Sequence, residues 1–286
     1  MAIRFGVTAL ASVIAVAGLL HASTSSASPA EPAATPWTTV ETSRVRLVAG
    51  RVDASKKLVA GIEIEMADDW KTYWRNPGSS GVPPRIDWSQ STNLAAARLN
   101  FPAPSRFVDR EGDTIGYKKY VVLPLELTAA DATRPIDLKL SLEYGVCKDI
   151  CIPVEVALSL AVPPDASAFA PDSRVATALA HVPRAGADMK PKDPVLKSFK
   201  ADLAGDKPTL AFDVVFPGGG AGADLFVEAP EGLWVPFARK AGENGGTVRF
   251  EIDLTDGADI AALKGKALAV TLVSDAGQSA TSVQLP

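Results

Sequence analysis

The chain has 286 residues, 47% of them hydrophobic and 22% charged, with a formal net charge of −4. That length allows one large or two ordinary domains with proper cores, and the acidic balance without a basic run argues against nucleic acid as a partner. His21 and His181 are the only histidines, which removes the usual general base and with it Ser-His-Asp hydrolysis and multi-histidine zinc sites.

In chain order, Arg4 precedes an uncharged, mostly apolar run, Phe5 to Leu20, and small residues through Ser25-Ser26-Ala27. This is the pattern of a secretory signal over residues 1–27. An uncleaved anchor is the alternative, although the run is short against the ~20 residues of a spanning helix. Cleavage removes Arg4 and His21, leaving a net charge of −5 and His181 as the remaining histidine. No later stretch is apolar enough to span a bilayer, so the remainder is expected to be soluble and to work outside the cytoplasm. The Ala/Pro/Thr-rich residues 28–37 are expected to be flexible.

Strand patterns follow at Ser43–Arg51, Lys57–Met66, Ala97–Phe101, Val121–Thr128, Ile136–Tyr144 and Ile152–Val162, separated by Pro, Gly and Asp. Short alternating strands at this spacing predict a β-sandwich over 38–162 rather than a parallel α/β sheet. Residues 163–194 turn to Pro, Ala and Asp and read as a linker. One short helix is expected in it, from a cap at Asp172 to Ala180, with His181 exposed. Strands resume at Thr209–Phe216, Asp224–Glu228, Leu233–Ala238, Thr247–Leu254, Ala267–Ser274 and Ser279–Leu285, a second sandwich over 195–286. Gly218-Gly219-Gly220 lacks the Gly-Lys-Ser/Thr ending of a phosphate loop and reads as a turn.

The chemistry falls on Cys147 and Cys151, separated by Lys148-Asp149-Ile150 at the tip of an expected hairpin. Residues opposed across such a tip have Cα atoms ~4.5–5.5 Å apart, within the ~4.4–6.8 Å a disulfide accepts. A closed loop of about five residues contributes only ~2 kcal/mol, against ~4.7 for about 100 residues. A bridge placed purely for stability does better tying distant strands together, and a short loop at an exposed tip is open to an attacking thiolate. Three readings stand on the residues alone: a redox disulfide, a structural bridge in a non-redox interaction module, and a two-thiolate Cu(I) site of a metallochaperone. The scarcity of Met and His speaks against copper. No other metal or cofactor site is expected.

The stretch Asp69–Pro164 resembles the periplasmic N-terminal domain of the DsbD family of disulfide reductases, and within it the ScsB-like branch. The resemblance rests on Trp70-Lys-Thr-Tyr73-Trp74-Arg75-Asn-Pro-Gly78, Gly81-Val-Pro-Pro-Arg-Ile-Asp-Trp88 and Phe101-Pro-Ala-Pro104. It continues through Ile115-Gly-Tyr117-Lys118 and Tyr144-Gly-Val-Cys147-Lys-Asp-Ile-Cys151-Ile-Pro153, and Leu225–Trp234 resembles the second sandwich of ScsB-like proteins. The spacing of three residues between the cysteines follows the ScsB-like branch; DsbD has five.

The resemblance implies an all-β chain of two immunoglobulin-like domains and a redox role for Cys147 and Cys151. It implies as partners a thioredoxin-like domain of a membrane electron donor and periplasmic thiol-disulfide proteins. The chain carries neither a membrane bundle nor a thioredoxin-like domain, so a relay module supplied in trans is expected. The family match further implies that Asp113 to Lys118 cap the disulfide, with Ile115 or Tyr117 as apolar cover, and that Tyr73 and Trp74 wall the site. Asp109, Glu111 and Asp113 are candidates for tuning a thiol, or are a solvated charge run.

Overall fold

Alternating apolar and polar residues drive this chain into antiparallel ladders. The computed structural model describes residues 1–2, 34–51, 58–78, 81–109, 112–164, 173–255 and 257–286. Residues 3–27 of the expected signal sequence, residues 28–33 of the flexible segment and the expected helix cap Asp172 lie outside the described residues. Residues 34–37 lie against the first sheet: Thr35 bonds Leu47 through both its backbone and its hydroxyl, and Trp37 stacks under Arg44 and Arg46.

The first eleven strands are β1 (Thr38–Val40), β2 (Ser43–Arg51), β3 (Leu58–Met66), β4 (Lys71–Tyr73), β5 (Arg85–Asp87) and β6 (Leu94–Leu99), then β7 (Ser105–Asp109), β8 (Gly112–Lys118), β9 (Tyr120–Ala129), β10 (Ile136–Cys147) and β11 (Cys151–Val162). One sheet runs β1-β2-β3-β9-β6, and the facing sheet β11-β10-β4-β8-β7 with β5 also on β10. The longest ladder, β10 with β11, pairs Ile136 with Val162 and ends on Cys147 opposite Cys151. Its inward residues Leu138, Leu140, Leu142, Tyr144, Val154, Val156 and Leu158 are buried, and the intervening polar ones face outward.

The second set is β12 (Val195–Asp202), β13 (Thr209–Val215), β14 (Asp224–Glu228), β15 (Arg239–Asn244), β16 (Thr247–Asp253), β17 (Ala267–Ser274) and β18 (Gly277–Gln284). They form sheets β12-β13-β16-β15 and β14-β17-β18. The fold is therefore all-β, with two immunoglobulin-like sandwiches. Their cores are not fully separate, because Phe226 and Val273 of the second set belong to the first core and Phe237 packs against it.

Leu233–Ala238, expected as a strand, is irregular, and the strand lies at Arg239–Asn244 instead. Pro236 has no N–H to give a ladder, while Val235 and Ala238 are buried as loop residues in the second core. Their burial accounts for the apolar run that reads as a strand. The edge strand β15 is exposed throughout and carries no pattern to read.

The connector helix α1 (Ser173–Ala180) docks on the first sandwich, with Val175 and Ala178 against Val48, Val59 and Val122. Gly61 makes room for it, since a Cβ there would stand 2.7 Å from Val122 and 3.0 Å from Val175. Arg174 reaches the buried Glu63 at 3.0 Å, which also accepts from Arg46 and Tyr120. A further short helix, α2 (Ile260–Leu263), is capped by the Asp259 side chain.

Past α1, the buried carboxylate of Asp193 takes a two-pronged bond from Arg184 and the backbone N–H of Lys190 at 2.7 Å. Arg184 in turn bonds the backbone of Ala280, which ties the connector to β18. Burial pushes the Asp193 carboxyl up, but the Arg184 and Lys190 bonds and the Arg184 charge outweigh it, so its pKa lies below the ordinary 3.8. A depressed folded pKa contributes stability that is present above the unfolded value and lost as pH falls through the folded one. Asp193→Asn is expected to cost about 2 kcal/mol at pH 7 and to flatten the loss of stability below pH ~4. Urea midpoints at pH 7 and pH 3 check this; equal pH dependence in both proteins contradicts it.

Candidate active site

Cys147 closes β10 and Cys151 opens β11, so the bond joins the last pair of the ladder. Lys148, Asp149 and Ile150 make the tip, where the Lys148 N–H bonds the Ile150 carbonyl at 3.2 Å. The Cα atoms are 4.3 Å apart, just under the common range. The two sulfurs sit in different surroundings for a topological reason. β10 has neighbours on both sides, β11 and β4, and Cys147 pairs with Lys71 of β4. β11 is the sheet edge. Cys147 is accordingly 2% exposed, whereas Cys151 is exposed beside Ile150, itself 66% exposed.

Tyr73 completes the site. It follows Thr72, the partner of Val146, and its ring lies over Gly145, where a Cβ would stand 3.1 and 3.2 Å from ring carbons. The absent side chain at Gly145 lets the ring lie flat across β10 and its hydroxyl reach the bond. That hydroxyl donates to Cys147 Sγ at 2.7 Å and lies 3.1 Å from Cys151 Sγ. Gly81 borders the same ring, since a Cβ there would stand 2.9 Å from a ring carbon, and Val82 lies beside Gly145. Lys71 is buried, with its ammonium donating to Thr114 Oγ1 at 2.9 Å and 5.5 Å from the Phe107 ring centre. At the exposed tip, Asp69 contacts Lys118 at 3.0 Å and Lys148 at 3.7 Å. The Lys118 hydrogen bond, with the neighbouring positive charge, holds its carboxyl below the usual value.

The other expected site residues are placed differently. Trp74 is fully buried and turns toward Phe226, with ring centres 5.8 Å apart. Asp113 to Lys118 is not a loop over the disulfide but part of β8, paired between β4 and β7. Gly116 explains it: a Cβ would fall 2.0 Å from the Thr72 carbonyl, so the backbone runs in close contact with β4. Ile115 lies in the first core. Tyr117 donates to the Pro102 carbonyl at 2.8 Å, and burial raises its pKa well above the ordinary value. Asp113 pairs with Arg239 of the second sandwich at 2.6 Å and with Arg106 of the neighbouring β7 at 3.5 Å. Asp109 ends β7, and Glu111 lies outside the described residues. His181 is exposed past the end of α1, its Nδ1 2.8 Å from the Thr177 carbonyl oxygen. Gly145, Lys71 and Val82 were not singled out by sequence. The register that places Gly145 under Tyr73 exists only once β4 has paired with β10.

The assembled site is a disulfide with one open sulfur, one enclosed sulfur and a phenol donating to the enclosed one. Residues 44–163 match the family model of the N-terminal region of thiol:disulfide interchange protein DsbD. The fold is similar to the crystal structure of the N-terminal periplasmic domain of ScsB from Proteus mirabilis, with a TM-score of 0.68 and 24% identity over 89% of this chain and 99% of that one. No curated protein matches the chain in sequence. Residues 44–163 are thus similar to the N-terminal region of DsbD, and the chain shares the fold of the ScsB N-terminal periplasmic domain.

Proposed function

We propose that the chain is a periplasmic thiol-disulfide exchange module that relays electrons between a thioredoxin-like domain of a membrane donor and periplasmic thiol proteins. The observation that carries this reading is the asymmetry of the pair: Cys151 is open at the sheet edge and Cys147 is enclosed under Tyr73. A structural staple needs neither feature. The family match of residues 44–163 supports the chemistry, and the signal pattern at residues 1–27 together with the periplasmic origin of the similar ScsB domain supports the compartment.

The exchange runs through Cys151. In the reduced chain its thiolate attacks one sulfur of a partner disulfide, forming a mixed disulfide and releasing the partner's other sulfur as a thiolate. Cys147 then attacks Cys151 Sγ, which re-forms the internal bond and releases the partner's second thiolate. Two electrons leave the chain, and the partner thiolates take up protons from solvent. The second step is intramolecular across the last pair of a ladder, so it outruns escape of the intermediate. The reverse sequence reloads the chain from its donor. No cofactor takes part.

Mixing the reduced chain with an oxidised thioredoxin-fold protein and counting thiols by mass tests this. The expected result is loss of two thiols from the chain and gain of two by the partner. Retention of both thiols on the chain, against partners whose potentials favour transfer, would contradict it.

A further inference from the structure

The second sandwich grips the residues that follow Tyr73. Trp74 packs on Phe226 of β14, with ring centres 5.8 Å apart. Arg75 makes a two-pronged bond to Glu228 at 2.8 and 2.6 Å while lying 4.2 Å over the Trp74 ring. Asn76 donates to the Val227 carbonyl at 3.3 Å. Gly78, at φ +91°, lets the chain pass so close to Phe237 that a Cβ would stand 2.4 Å from its ring. Pro77 then bonds back to the Ile115 N–H at 3.1 Å and lies against Gly81, which borders the Tyr73 ring. Beyond this stretch, Arg106 bonds Asp224 at 2.9 and 2.7 Å, and Phe226 is counted in the first core rather than the second. Four of the five residues from Trp74 to Gly78, all but Pro77, meet β14 or the loop bearing Phe237, and they start one residue after the side chain that touches both sulfurs.

β4 is a strand of three residues. It is paired to β10 on one side and β8 on the other, and Tyr73 is its last residue, so the ring's placement also depends on where the chain goes next. We propose that the second sandwich is the positioning element of the redox site. It fixes Trp74 to Gly78 and thereby holds the Tyr73 hydroxyl on Cys147 Sγ. Glu228 and Phe226 are positioning residues; Tyr73 is the group that acts on the reacting atoms. This deepens the exchange reading and rests on it.

The step that exposes this role is reduction of the disulfide. An external thiolate attacks the open Cys151 Sγ, the internal S–S bond breaks, and Cys147 leaves as a thiolate. The phenol stabilises that leaving thiolate by a charge-assisted hydrogen bond. The attacking reagent's second thiol then closes on its own sulfur and releases Cys151, so two electrons pass from the reagent to the pair.

Reduction of the full chain by dithiothreitol isolates this from any protein partner. Tyr73→Phe is expected to slow the rate constant about tenfold. Glu228→Gln and the apolar but smaller Phe226→Leu are expected to slow it about threefold each with Tyr73 present, and to leave it unchanged in the Tyr73→Phe background. Unfolding midpoints of each variant show that the fold persists, and Glu228→Gln carries the test if Phe226→Leu does not fold. The proposal is overturned if the interface variants slow both backgrounds equally, if they slow neither, or if Tyr73→Phe itself has no effect. These outcomes stay separable from failure of the exchange reading, which is judged by the disulfide's potential and by transfer to proteins.

Discussion

Cys147→Ser is expected to accumulate a covalent complex with a partner protein, and Cys151→Ser is expected to give at most about one hundredth as much. The serine at 147 leaves the exposed Cys151 free to attack while removing the sulfur that resolves the intermediate, so the mixed disulfide persists. In the converse variant the remaining thiol is Cys147, enclosed between β11 and β4 beneath the Tyr73 ring. An approaching disulfide reaches it only after the end of the ladder opens, and an opening that costs ~3 kcal/mol lowers the reactive population about 100-fold. Both variants should remain folded, because a bridge closing about five residues contributes only ~2 kcal/mol. Non-reducing gels of the periplasmic fraction, with the trapped species identified by mass, provide the measurement. Equal trapping by the two variants would remove Cys151 as the attacking residue, and unfolding of both would return the pair to a structural role.

The same geometry sets a second large effect, one that needs no partner. In the reduced wild-type chain, iodoacetamide is expected to modify Cys151 about 100-fold faster than Cys147. Alkylation proceeds through the thiolate and requires access. Tyr73 donates to Cys147 Sγ and so favours its thiolate, which alone would make Cys147 the faster site. Burial works the other way, since the reagent cannot approach the sulfur of a residue that is 2% exposed without local opening. A hydrogen bond to a charged group is worth ~1.5–3 kcal/mol and lowers intrinsic nucleophilicity as it lowers the pKa, so access decides the outcome. Peptide mapping after brief exposure reads the ratio. A ratio near one, or in favour of Cys147, would mean that the hairpin tip opens freely once reduced.

The hairpin carrying the cysteines was legible in the sequence because the β10 and β11 alternation runs unbroken to the pair and the turn between them is short. The helix at Ser173–Ala180 was legible for similar local reasons, a change in composition and a proline beyond its end. β8 was not. Its expected role as a cap came from the family motif, and what makes it a strand is the closeness of Gly116 to Thr72, a contact between distant segments. Tyr73 could be placed near the site, but its reach to both sulfurs depends on the missing side chain at Gly145. The inward turn of Trp74 depends on Phe226, about 150 positions away in the chain. In the second sandwich, burial of Val235 and Ala238 in a loop imitated a strand, and the polar edge strand β15 left no periodicity. Local pattern carried the ladders; pairing of distant segments carried the site.

As an exchanging bond rather than a staple, Cys147–Cys151 must differ in potential from structural disulfides. Its reduction potential, obtained by equilibrating the chain in dithiothreitol and glutathione redox buffers and counting free thiols, tests this most directly. A value above about −300 mV is predicted, in the range of bonds that exchange with thioredoxin-like proteins. A value well below about −300 mV would mark a structural disulfide and rule out exchange as its role.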